Sequence, residues 1–289
     1  MNLDMSPEEA DLTSRAAEAF RTGAIPPSSS SFTELCIVAR ESGRAASELR
    51  FVGFAFARLL GWKGGPDITV GLDPDGRGCS HVANAMRATT ALIADRNGTV
   101  LTIDLDSTVR IPQPTLDDPH ACRVEFDNAL IIDRRAHDVE GVIPHAMVLV
   151  AAECVGAAEA SLDASIVRVS HRRMRGGVLG DQQVIRHRCA DMKIDVTQAW
   201  DAVLDAANRI DRRESAPEIR LAATRAKLIA VQRCLATTTE ALRLAGGIGI
   251  LEDEPWQKWL RRVKAAEPSI LSPRDLRAEI AAASLTRFR

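Results

Sequence analysis

The chain contains no tyrosine, and aromatic residues make up only 4% of it. Base-stacking platforms are therefore scarce. It also lacks a charge excess: 37 Lys and Arg stand against 39 Asp and Glu, a formal net charge of −2. A nucleic-acid protein concentrates a basic surplus on one face, so no nucleic-acid partner is expected. Metal-ligand spacing is missing too. Cys36, Cys79, Cys122, Cys154, Cys189 and Cys234 form no Cys-x-x-Cys pair, and none stands at ligand spacing from a histidine. No metal is expected, and the scattered thiols point to a reducing cytoplasm. The start, "MNLDMSPEEADL", is acidic and has no apolar run, so it does not read as a signal peptide. The most apolar stretch, "AMVLVAAECVGAA" (146–158), contains Glu153. It is shorter than the roughly 20 residues that span a bilayer, so no membrane partner is expected.

What is present is a chain of 289 residues, 46% hydrophobic, enough for a sizeable core. Its period changes twice. Residues 1–65 read as a short N-terminal helical domain. Ser6-Pro7-Glu8-Glu9 has the form of a capping box, and "GAIPPSSSS" (23–31) is a loop. Ser31 and Glu34 then open the helix "FTELCIVARESGR", and "ELRFVGFAFARLLG" continues as an apolar helix to Gly61. Residues 66–143 carry the short β-branched runs "TALIAD", "TVLTIDL", "STVRI" and "CRVEFDNALII", separated by turn signals. They read as a middle antiparallel β domain.

Residues 144–289 return to helix. One apolar stripe runs Ile185, Cys189, Met192, Val196, Trp200, Val203, Ala207; a preceding helix carries Val150, Cys154, Ala158, Leu162 and Ile166. A third helix opens at Ser215/Glu218, carries Leu221, Leu228, Val231, Leu235 and Leu242, and stops at Gly246-Gly247. A fourth runs from about Trp256 to Ala266, with Trp256 and Trp259 packing it down. A fifth starts at Ser272-Pro273. The fold class is mainly α with a small β domain, ending in an antiparallel helix bundle.

Five arginines, Arg172, Arg173, Arg175, Arg186 and Arg188, gather in "HRRMRGGVLGDQQVIRHRCADM" (171–192). Such a basic knot in a balanced chain asks for an anion or a partner surface. The glycines of "GGVLGD" and "AGGIGIL" do not sit in a βαβ unit, which excludes a dinucleotide fingerprint there.

Several motifs together resemble the acyl-CoA dehydrogenase family. Arg172-Arg173-Met174-Arg175-Gly176 resembles its Arg-x-x-Phe-Gly hinge. Gln183 and Ala190-Asp191-Met192 resemble the Gln and the Ala-Asp/Glu-Met of its second long C-terminal helix. Gly246-Gly247-Ile248-Gly249, Glu254-Pro255 and Arg261 resemble the end of its third long helix. "ARESGR" (39–44) and "TLDDPHACRVEFDNALI" (115–131) resemble further segments, so the likeness runs along nearly the whole chain.

The resemblance implies FAD shared between two protomers. Arg172 would meet the pyrophosphate, since a guanidinium offers paired, permanently charged donors. Gln183, Gly246 and Gly247 would hold the ADP end, where glycine lets backbone approach phosphate. Arg175, in the place of the family's Phe, would add a second charge. The implied reaction is α,β-dehydrogenation of an acyl thioester, which needs a carboxylate base in a dry pocket. The family's usual base slot falls on Ile270, followed by Leu271-Ser272, with Glu267 three residues away. A second known slot falls near Val142, with Glu140 two residues off. No catalytic residue is assigned to this chain. The N-terminal domain is shorter than the family's, and its ring-side motifs are missing.

The pattern resembles the short subunits of heteromeric acyl-CoA dehydrogenases from actinobacterial steroid degradation, in which a degenerate subunit pairs with a complete one as α2β2. The reading is a subunit that completes the FAD site of a second acyl-CoA dehydrogenase subunit, acting on a bulky, steroid-derived acyl-CoA. Two alternatives stand beside it: a complete homomeric dehydrogenase with Glu140 as base, and a flavin-free scaffold that keeps only the bundle.

Overall fold

The computed structural model describes residues 6–22, 29–47, 51–73, 78–95, 97–126, 128–174, 176–251 and 253–285. Helix α1 (Pro7–Thr22) opens on the expected box. The Ser6 amide donates to the Glu9 carboxylate at 2.7 Å, and the Glu9 amide donates to Ser6 Oγ at 3.2 Å. Helix α2 (Phe32–Arg44) begins with the Glu34 amide donating to Ser31 Oγ at 3.1 Å. The Glu34 carboxylate turns instead to Ser30, and those hydrogen bonds hold its pKa below the ordinary value. Helix α3 (Phe51–Leu59) is followed by Gly61 in the left-handed region, φ +85°. Most of the loop read at 23–31 lies outside the described residues.

Seven strands follow: β1 (Ile68–Asp73), β2 (Cys79–Val82), β3 (Thr90–Asp95), β4 (Thr99–Asp104), β5 (Val109–Pro112), β6 (Cys122–Glu125) and β7 (Ile131–Ala136). They form a four-stranded sheet, β1-β3-β4-β7, and a three-stranded one, β2-β6-β5. The expected all-antiparallel domain needs correction, because β1 and β3 pair in parallel, Ile68 opposite Thr90. Between them the chain crosses to the other sheet as β2 and returns in the same direction, which a tight hairpin cannot do. Strands β1 and β2 also lie outside the β-branched runs that mark this region in the sequence. Val82, Ile93, Ile103, Leu105, Cys122, Val124 and Phe126 form one buried cluster in this part of the chain.

The remaining helices are α4 (Val139–His171), α5 (Gln183–Asp211), α6 (Ala216–Ala245), α7 (Pro255–Ala266) and α8 (Pro273–Leu285). A hairpin of β8 (Arg173–Met174) and β9 (Gly177–Val178) links α4 to α5. Helix α4 is longer than the apolar run that marked it. By length and composition alone it could cross a membrane, with an 18-residue stretch of mean hydropathy 1.6, but 78% of that stretch is buried in the protein. That is the pattern of a core helix.

Two compact units result, Met1–Leu49 with Met147–Arg289, and Arg50–Ala146. This differs from the division at 65/66 and 143/144: α1 and α2 group with the C-terminal helices, and α3 groups with the strands.

Small residues set the packing of the first unit. A Cβ on Gly43 would lie 2.0 Å from the Glu153 carbonyl oxygen of α4, and one on Gly156 would lie 1.8 Å from that of Arg40. The two helices therefore touch backbone to backbone. Around this crossing Arg40 donates from Nε to Glu159 at 2.8 Å and stacks on Trp200 of α5, 4.7 Å from the ring centroid. Burial pushes the Glu159 carboxyl up, but Arg40 and Arg44 outweigh it and hold its pKa low. The stripe on α5 is buried at Ile185, Met192, Val196, Val203 and Ala207. On α6 the buried face belongs to Ala222, Ala223, Ala226, Ala230, Val231 and Cys234, while Leu228, Leu235 and Leu242 are only half-buried. On α4, Ile166 is exposed.

Helix α7 is tied down by its two indoles. Trp256 Nε1 donates to Ser165 Oγ at 3.2 Å and Trp259 Nε1 to the Arg44 carbonyl at 3.0 Å. Arg262, buried beside them, donates to the Ser47 carbonyl at 2.7 Å and to Glu153 at 3.3 Å.

Candidate functional site

The C-terminal end of α4, the β8–β9 hairpin, the start of α5 and the end of α6 meet at one end of the helical unit. Their junction is held by backbone. The Leu179 amide donates to the Arg172 carbonyl at 2.9 Å, closing the hairpin base, and Arg168 Nε donates to the Ala245 carbonyl at 2.8 Å, joining α4 to the last turn of α6. Sequence motifs do not single out Arg168. It stands in the last turn of α4, four residues before Arg172.

This junction brings Arg172 onto Gly246. The glycine caps α6 at φ +70°, and a Cβ there would lie 3.1 Å from Arg172 Nη1. A side chain would crowd the guanidinium and strain the backbone, so glycine suits the place on two counts. Nothing lies within 4 Å of where a Cβ would stand on Gly247. Among the described residues, Arg172 has no acceptor for its side chain and is exposed. Gln183 begins α5, also exposed. Its place near the hairpin is fixed by the chain path rather than by a side-chain bond to Arg172. Arg175 lies outside the described residues.

The other arginines of the cluster separate by role. Arg186 donates to the Gly180 carbonyl at 3.1 Å, and Arg188 pairs with Glu240 of α6 at 2.7 Å. Both brace the junction, whereas Arg172 and Arg173 are exposed with no side-chain acceptor among the described residues. Exposed apolar side chains occur on the same segments: Val167 on α4, Met174 in the hairpin, Val184 on α5, and Ile250 (64% exposed) and Leu251 after α6. A guanidinium without an acceptor among the described residues, beside a glycine turn, suits a phosphate-bearing group.

The positions considered for a base look different. Glu267 follows α7 and is engaged by Lys264 in an ion pair. Glu140 stands exposed in the first turn of α4. Ile270 occupies a tight turn between α7 and α8 at φ +64°. No grouping of three or more metal-binding side chains occurs among the described residues.

Residues 139–269 match the family model described as "Acyl-CoA dehydrogenase, C-terminal domain". Among curated proteins, the chain is 31% identical over 125 residues to a probable acyl-CoA dehydrogenase fadE25 of Mycobacterium leprae. That match covers 43% of this chain and 32% of the relative, so the aligned stretch spans about a third of the relative's length. Among solved structures, the ChsE4-ChsE5 complex from Mycobacterium tuberculosis has a chain that superposes with a TM-score of 0.81 at 15% identity, covering 98% of both chains. A structure described as a "Tcur3481-Tcur3483 steroid ACAD G363A variant" gives 0.79 at 17% identity, covering 95% of this chain and 97% of the other.

The fold is thus the one seen in solved structures described as acyl-CoA dehydrogenases. Residues 139–269 are thus similar to the C-terminal domain of acyl-CoA dehydrogenases.

Proposed function

We propose that this chain is one subunit of a heteromeric FAD-dependent acyl-CoA dehydrogenase, and that it holds the phosphate end of a flavin whose ring lies in a second acyl-CoA dehydrogenase subunit. The observation that carries this reading is the Arg172 guanidinium seated on Gly246 with no acceptor among the described residues. The donor set fits the cofactor. Arg172 binds the pyrophosphate with charge-assisted hydrogen bonds. The open backbone of Gly246 and Gly247 and the side chain of Gln183 hold the ADP end, and Arg175 adds a second positive charge.

Bound FAD supplies the hydride acceptor for α,β-dehydrogenation of an acyl-CoA. This chain's residues bind and orient it. The base comes from the second subunit: Ile270 has no ionisable group, and Glu267 is held by Lys264. The structural relatives described as a ChsE4-ChsE5 complex and a "Tcur3481-Tcur3483 steroid ACAD" support a two-component assembly, here read as α2β2, and a bulky, steroid-derived acyl-CoA. The free thiols of Cys36, Cys122, Cys154, Cys189 and Cys234 support a cytoplasmic place.

Co-expression tests the proposal. The isolated chain is expected to be colourless, and its complex with the second subunit yellow. A lone chain that carries a full flavin complement and oxidises acyl-CoA would overturn it.

A further inference from the structure

Lys227 lies in the middle of α6 with no solvent exposure at all. Burying an ammonium is costly unless acceptors surround it. Here they come from a distant turn. Lys227 Nζ donates to the Leu271 carbonyl at 2.7 Å and also to the Ser269 carbonyl. Those two carbonyls flank Ile270, the residue at φ +64°. Across it the Leu271 amide donates to the Ser269 carbonyl at 2.7 Å. This is a γ-turn of the rare left-handed kind, strained for any residue with a side chain and most of all for a β-branched one. Such a conformation persists only where its surroundings over-determine it. The ammonium grips both ends of the turn, so the surroundings are identified.

We infer that Lys227 is a positioning residue, an internal latch that holds the α7–α8 turn closed on Ile270 and fixes that side chain in a backbone conformation it would otherwise leave. Resting on the proposed function, the consequence is that the base slot of this chain is shut by an apolar side chain locked from inside the helical unit. The latch itself is a property of the isolated chain, and its test uses neither flavin nor acyl-CoA, so its failure is distinct from failure of the subunit reading.

The test compares four full-length proteins: wild type, Lys227→Met, Ile270→Gly and the double variant. The readout is exchange of the Leu271 amide, followed by NMR or mass spectrometry. Lys227→Met keeps the length and removes the charge, and exchange should speed by about tenfold or more. Glycine adopts a positive φ without strain, so adding Ile270→Gly should restore most of the lost protection. A lysine that only fills space gives no such rescue. Unchanged exchange in Lys227→Met, or effects of the two substitutions that simply add, overturns the latch. Where Lys227→Met alone does not fold, recovery of folding in the double variant supports it and failure of the double variant to fold overturns it.

Discussion

Gly156 of α4 faces the Arg40 carbonyl of α2 so closely that a Cβ would stand 1.8 Å from the oxygen. Both partners are backbone in helices, so neither can step aside. Gly156→Ala is expected to cost about 3 kcal/mol, the upper end of typical overpacking. Gly53 in α3 supplies the control, since nothing lies within 4 Å of its Cβ position; there alanine should gain about 0.5–1 kcal/mol from helix propensity. Urea midpoints of the two variants measure the contrast.

Glu159 receives Arg40 and Arg44 together, both within 2.9 Å. Replacing it by Gln leaves two largely buried guanidinium groups undercompensated, and stability should fall by about 3 kcal/mol. Because its folded pKa lies below the ordinary value, its contribution is present above the unfolded carboxylate range and is lost as pH falls through the folded pKa. An acid unfolding curve for Glu159→Gln should therefore converge on wild type at low pH.

Lys227 gives a pH slope of the same sign in a higher window, though there it is the charged form that burial disfavours. Burial lowers its pKa from 10.5 to about 8. Between those values the unfolded chain binds a proton that the folded one does not, so this group makes stability rise with pH across that window, by about 3 kcal/mol in all. Cys36 and Cys234, whose burial raises their pKa, pull the other way. The difference between wild type and Lys227→Met, taken from pH 7 to pH 10, isolates the lysine. A flat difference would refute the assignment.

Arg172 is exposed and braces nothing else among the described residues. Arg172→Ala should leave the melting temperature of the isolated chain nearly unchanged and lower the flavin content of the assembled complex about tenfold, the scale of one lost charge-assisted contact. The ratio of visible to ultraviolet absorbance after gel filtration reads this directly.

Local rules carry much of the architecture. The Ser6/Glu9 box and the start of α6 at Ser215 and Glu218 depend on side chains reaching three residues along the chain, and they form as written. The strand Thr90–Asp95 matches its β-branched run from end to end. Where a neighbour decides, the letters are silent. The α6 leucines suggest the core, but the buried face is built from alanines, because backbones that approach closely leave room for little else. Nothing in the local sequence marks Lys227, whose acceptors come from a turn 42 residues away. The parallel pairing of β1 with β3 depends on a visit to the second sheet that no single strand announces. At the candidate site, Arg172 and Gly246 are legible through family motifs, whereas Arg168 enters only through its bond to Ala245.

Helix α6 also acts as a ruler. It runs for 30 residues from the Ser215 cap to Gly246, which receives Arg172. Each helical residue advances about 1.5 Å and turns about 100°. Losing one residue from its middle would swing the terminal glycines away from the guanidinium even if every remaining contact stayed sound. The length of that rod, as much as the chemistry at its tip, decides whether the two ends of the motif meet.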